Sequence, residues 1–104
     1  MSVFLIATLE VRGASFARFS EAMGQLQSIV EGVGWRLASA YVHRTGPLNT
    51  VIDVWELDDL NHMNAGFGAI GADPRGAQIQ ATMQEAVIRE TLNFADAIVY
   101  PKPA

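Results

Sequence analysis

The sequence predicts an α+β domain whose elements run β-α-β-β-α-β, and three observations predict it. Four runs are rich in β-branched and aromatic residues and bounded by Gly, Pro or Asp. Between the first and second runs, and between the third and fourth, apolar residues recur at spacings of three and four, the period of a helix with one buried stripe. The second and third runs meet at Gly46-Pro47, a connection so short that it forces an antiparallel pair. With 104 residues, half of them apolar and 17% charged, the chain is sized for a single domain, residues 1–104, that can bury a core.

Val3 to Val11 is the first strand, stopped at Arg12-Gly13. Ser15 is placed to cap a helix, its hydroxyl accepting from a free first-turn N–H. Phe16, Phe19, Met23, Leu26 and Val30 make that helix's apolar stripe, and Gly32 and Gly34 end it through a left-handed residue. Trp35 to Thr45 and Leu48 to Leu57 form the hairpin. Asp58-Asp59 puts two carboxylates at the next helix's positive end, and Leu60, Met63, Phe67 and Ile70 continue its stripe. Gly71 and Asp73-Pro74 interrupt it, with Asp73 as cap and Pro74 at the first position of a third helix built on Ile79, Met83 and Val87. Thr91 to Tyr100 is the last strand.

This order is the ferredoxin-like plan, a four-stranded antiparallel sheet with the helices on one face. In Val51-Ile52-Asp53-Val54-Trp55, apolar residues occur at both parities, the pattern of a sheet covered on both sides. A second copy of the chain is the simplest cover for the other face. The expectation is therefore a homodimer, two sheets packed face to face as a dimeric α+β barrel.

Composition removes other classes. The formal charge is −4, and seven basic residues are scattered singly, so no basic stripe tracks a phosphate backbone and nucleic acid is not an expected partner. No cysteine is present, which excludes disulfides, thiolate metal sites and a Cys nucleophile. No run approaches the ~20 apolar residues of a membrane span, and the N-terminus lacks a basic segment before its apolar start, so a cytoplasmic protein is expected.

Gly46-Pro47-Leu48-Asn49 followed by Val51-Ile52-Asp53-Val54-Trp55-Glu56-Leu57-Asp58-Asp59-Leu60 resembles the NIPSNAP family of dimeric α+β barrel proteins. Leu9-Glu10-Val11-Arg12-Gly13 and Ala72-Asp73-Pro74 fall at that family's spacings. Family members often carry His where this chain has Asp53, and many have Pro between the residues matching Arg12 and Gly13. The resemblance implies fold and dimerisation; no general reaction comes with it. Other proteins of this barrel type include cofactor-free monooxygenases acting on aromatic molecules and haem-degrading enzymes. The Asn of the haem-degrading set has no counterpart in the first strand here, so no cofactor is expected.

The candidate chemistry lies on the hairpin. A two-residue turn pairs positions that sum to 93, which puts Arg36, Ala38, Ala40, Val42 and Arg44 beside Asn49, Val51, Asp53, Trp55 and Leu57 on one face. Asp53, mid-strand among apolar residues, is the anomaly. Left unpartnered it would have a raised pKa suited to acid–base work; the plainer reading is an ion pair with Arg36 or Arg44, or a hydrogen bond across the dimer. Small side chains at Ala38 and Ala40 leave room for a ligand. Arg36 and Arg44 would orient an anionic group, Trp55 and Tyr41 would form the wall, and Asn49 and His43 complete the candidate binding set. Asp58, Asp59 and His62 read as a solvated capping cluster, and no metal site is expected. Two functions follow: a barrel binding or oxidising a small hydrophobic or aromatic molecule, with Asp53 catalytic, or a non-enzymatic homodimeric scaffold whose Asp53 is paired.

Overall fold

β1 (Val3–Val11) is the strand on which the sheet is assembled, because it is paired along both edges. A computed structural model describes residues 2–104, and in chain order β1 is followed by α1 (Phe16–Glu31), β2 (Arg36–Val42), β3 (Thr50–Leu57), α2 (His62–Ala72), α3 (Gly76–Ala86) and β4 (Val87–Ala95). The strands lie in the order β2-β3-β1-β4, each antiparallel to its neighbours, which is the expected ferredoxin-like sheet.

Period-2 alternation sends Leu5, Ala7, Leu9 and Val11 of β1, with Val51, Asp53, Trp55 and Leu57 of β3, to one buried face. Val30 of α1, Ile70 of α2 and Ile79 of α3 pack on that face against Leu5, Trp55 and Leu57. Leu5, Leu57, Val30 and Ile79 are fully buried, and each such side chain contributes ~1.5–3 kcal/mol by leaving water. The other face carries Phe4, Ile6, Ile52 and Val54, all half-buried.

The junction between α1 and β2 is fixed locally. Gly34 is left-handed at φ 91°, its N–H donates to the Glu31 carbonyl at 3.0 Å and the Trp35 N–H to that of Val30 at 3.1 Å, the two bonds of a Schellman stop. His62 completes it. Its Nδ1 accepts the Asp58 N–H at 2.9 Å, so Nε2 carries the proton and donates to the Val33 carbonyl at 2.6 Å. The Trp35 indole N–H donates in turn to the His62 carbonyl at 2.8 Å. His62 is thus a latch between α1 and α2; of the solvated capping cluster expected there, the Asp58 carboxylate is exposed and Asp59 accepts the His62 N–H at 3.0 Å, while the His62 ring is largely buried.

Four local expectations are corrected. Ser15 does not cap α1; a 3₁₀ turn over Gly13–Ser15 leads into the helix and buries the serine. α3 begins at Gly76, where a Cβ would lie 2.0 Å from the Ile70 carbonyl oxygen, while Asp73 forms the preceding turn by accepting the Arg75 N–H at 2.8 Å. The last strand starts at Val87, because the full length of β1 is available for pairing, and residues 96–104 have no regular structure. Finally, positions Ser39 to Val42 pair with β3 in the expected register, but a bulge at Ala38 shifts the rest, so Leu37 faces Trp55 and Arg36 faces Glu56.

Candidate functional site

Asp53 sits at the centre of β3, opposite Ala7 of β1 and Ala40 of β2, so two methyl groups are its cross-strand neighbours. Neither fills the space above the carboxyl. A cavity of about 360 Å³ opens there between α1 and the β2–β3 hairpin, lined by Phe19, Met23 and Gln27 of the helix and by Ala40, Asp53 and Trp55 of the sheet. Asp53 is 4% exposed, yet its Oδ2 has no hydrogen-bond partner. Burial pushes its pKa from the ordinary 3.8 to about 6, and the negative charge of Glu90 adds to the rise.

Asp53 and Trp55 also border a narrow space of about 50 Å³ beneath Met23 and Leu26, whose far wall holds Phe67 and Glu90. Leu26, Phe67 and Glu90 in turn border a third space of about 370 Å³ under α2 and α3. The three form an interrupted passage between sheet and helices, with one carboxylate on each side of the constriction. Glu90 is on the exposed strand β4, but the apolar side chains around its carboxyl desolvate it enough to raise its pKa. Trp35 packs edge-on to Trp55 and Phe67 at 5.5 and 5.8 Å between centroids, fixing the aromatic wall of the constriction. Gly66 permits that wall, since a Cβ there would stand 2.2 Å from the Trp35 ring.

Asp53, Trp55 and Tyr41 border the cavity as expected, Tyr41 at its outer rim on the edge strand. Four other candidates do not. The bulge at Ala38 turns Arg36 to the opposite face, where it is ion-paired with Glu56. Arg44 lies in the hairpin connection, and no ion pair joins it to Asp53 among the described residues. Asn49 is a left-handed turn residue at φ 61° whose carbonyl accepts the Val11 N–H at 3.0 Å. His43 Nδ1 lies 3.2 Å from the Pro47 carbonyl and braces the same turn. The plainer reading of Asp53 as one half of an ion pair is therefore not what the structure contains. The cavity lies on the helix side of the sheet, opposite the face that carries Phe4, Ile6, Ile52 and Val54. Glu90 falls outside the last strand that the sequence predicts from Thr91; with the strand starting at Val87, its alternation with Leu92 and Phe94 puts it opposite Leu9 on the helix side.

No cluster of three metal-ligating side chains occurs among the described residues, and no helix there is long and apolar enough to cross a membrane.

The family model for NIPSNAP matches residues 4–103. No curated protein matches the chain. Among solved structures, an uncharacterized NIPSNAP domain protein from Burkholderia xenovorans superposes with a TM-score of 0.76 at 18% identity, covering 97% of this chain and 99% of that one. A NIPSNAP family protein from Agrobacterium tumefaciens gives 0.78 at 16% identity over 94% of both chains. SnoaB, a cofactor-independent oxygenase from Streptomyces nogalater, gives 0.73 at 12% identity over 95% of both. At these identities the likeness is one of fold.

Proposed function

Because the chain belongs to the NIPSNAP family, we propose that it works by holding a small, mainly apolar or aromatic molecule between its sheet and its helices, with Asp53 as the group that exchanges a proton with it. One observation carries this reading: a carboxylate oxygen buried without a partner at the edge of a cavity of about 360 Å³. A buried polar group left unpaired costs ~1–3 kcal/mol, a cost that a ligand's hydrogen-bond donor would offset. The volume is in the range of small-molecule sites, and the walls are apolar with few polar groups, as such sites usually are. A carboxyl with a pKa of about 6 is divided between acid and base near neutral pH, which suits proton transfer in either direction.

The finer form of the proposal is cofactor-free oxygenation. Asp53 would take a proton from an activated C–H or O–H of the bound aromatic molecule, leaving an anion for dioxygen to oxidise. The fold shared with SnoaB is compatible with that chemistry. Assembly is part of the same reading: the half-buried Phe4, Ile6, Ile52 and Val54 suit a sheet face covered by a second copy, which would leave the ligand space of each protomer on the outer, helix-covered side.

Native mass spectrometry of freshly purified protein, beside its denatured mass, tests both parts. The expected result is a dimer carrying small-molecule mass that is lost from Asp53→Ala. Equal occupancy in the variant would count against Asp53. An empty wild-type protein that also fails to bind the naphthyl probes described below would count against the cavity as a site.

A further inference from the structure

The charge around the ligand space is one-sided. The residues bordering its three parts include no Lys, Arg or His, while Asp53 and Glu90 stand on either side of the constriction. Basic side chains that could have balanced them are engaged elsewhere, Arg36 with Glu56 on the opposite face and Arg89 with Glu10 at 3.5 Å. Aromatic rings line the remaining walls, with Trp35, Trp55 and Phe67 at the neck and Phe16 and Phe19 in the cavity above Asp53. Met23 and Met83 add polarizable sulfur.

From this arrangement we infer that the ligand is an amphiphilic amine, an apolar or aromatic body bearing one ammonium group that sits between Asp53 and the faces of the neck aromatics. The inference rests on the proposed ligand site but not on its oxygenase form, since a carboxylate paired with an ammonium serves as counter-ion and not as base, and it names the class of molecule that enters the site. An ammonium supplies what the cavity lacks. It gives the orphaned Asp53 oxygen a charge-assisted donor, relieves the repulsion between two carboxylates, and meets ring faces that attract cations. A carboxylate ligand would be repelled by both acids and would find no guanidinium to receive it. The arginine-oriented anion expected from the hairpin spacing is thereby replaced by a ligand of opposite charge.

The pH dependence follows in sign. Around Asp53, α1 contributes no ionisable side chain, β1 contributes Ala7 and β2 contributes Ala40; Glu90 of β4 is the one other acid on the passage, and Tyr41 is the phenol at its rim. An amine binds the ionised form of Asp53, so its affinity is constant above about pH 6 and falls as the carboxyl is protonated below that value.

Three probes of one shape decide the matter: 1-naphthylmethylamine, 1-naphthylmethanol and 1-naphthoate, titrated into the full chain by calorimetry and by Trp fluorescence. At pH 7.5 the amine is expected to bind at least tenfold tighter than the alcohol, with the naphthoate weakest. Lowering the pH to 5 should weaken the amine about tenfold and leave the alcohol unchanged, a comparison that needs no variant. Asp53→Asn should abolish the preference for the amine while retaining the alcohol, and Glu90→Gln should reduce it. Alcohol or naphthoate binding as tightly as the amine overturns the ligand class and leaves the site standing. Failure of all three overturns the site as well.

Discussion

Asp53→Asn is expected to stabilise the ligand-free protein, and the size of the gain can be worked from its surroundings. In the folded chain the carboxyl titrates at about 6, against 3.8 as the ordinary value that the unfolded chain takes. Each unit of such a difference is 1.36 kcal/mol, so ionised Asp53 costs the fold ~3 kcal/mol at neutral pH. Water entering the open cavity screens part of this and brings the estimate to about 2 kcal/mol. The folded state holds the proton more tightly than the unfolded state, so the cost is absent below about pH 4, grows between pH 4 and 6, and is constant above. Asparagine removes the charge with almost no change of shape. With an unfolding entropy of roughly 0.2 kcal/mol/K for a domain of this size, the variant should melt about 9 °C higher at pH 7.5 and show no difference at pH 4. Thermal unfolding of both proteins at one fixed concentration across that range measures it. A variant that is equal or less stable at pH 7.5, with a difference that does not change with pH, would falsify the claim of an unpartnered carboxylate and remove the main support for the ligand site.

Gly66→Ala should lower stability by about 2 kcal/mol in urea unfolding, because the new Cβ collides with Trp35 and the ~1 kcal/mol gain in helix propensity does not compensate; Gly68→Ala, with nothing within 4 Å of its new methyl, should instead gain up to ~1 kcal/mol. His62→Ala should cost about 2 kcal/mol by the same measurement, since it strands the Asp58 N–H and the Val33 carbonyl; a change below 0.5 kcal/mol would refute the latch. Val54→Lys, placing an ammonium in the middle of the uncovered sheet face, should convert a dimer to a monomer by light scattering, and an unchanged dimer would locate the interface elsewhere.

The sheet was legible in the sequence because its information is local. Strand β1 reads from Val3 to Val11 with its boundaries intact, and although residues 43–49 join β2 to β3 in place of the expected two-residue turn, Ser39 to Val42 still lie opposite Val51 to Val54 in the register that the spacing implies. The α1 stop was legible for the same reason: only a glycine adopts φ 91° without strain, and Gly34 does so. Elements whose limits are set by partners were read less well. Nothing in the residues from Ala86 to Glu90 separates a helix end from a strand start; the strand begins at Val87 because β1 has unpaired length to offer there.

Half of the site was legible by the same logic. Asp53 stood out because alternation gives it a buried position and no other charge occurs between Thr50 and Trp55. What alternation could not supply was the company it keeps. A straight β2 would have put Arg36 on the face of Asp53, making an ion pair or an anion site reasonable. One extra residue at Ala38 reverses every side chain before it, sends Arg36 to Glu56, and brings Leu37 beside Trp55. Meanwhile the earlier start of β4 turns Glu90 inward, so the charge that reaches Asp53 across the sheet is negative where a positive one was expected. The sign of the electrostatic field in the cavity thus depends on a one-residue bulge in β2 and on a start of β4 at Val87 in place of Thr91, and with it the class of ligand that we propose for the space.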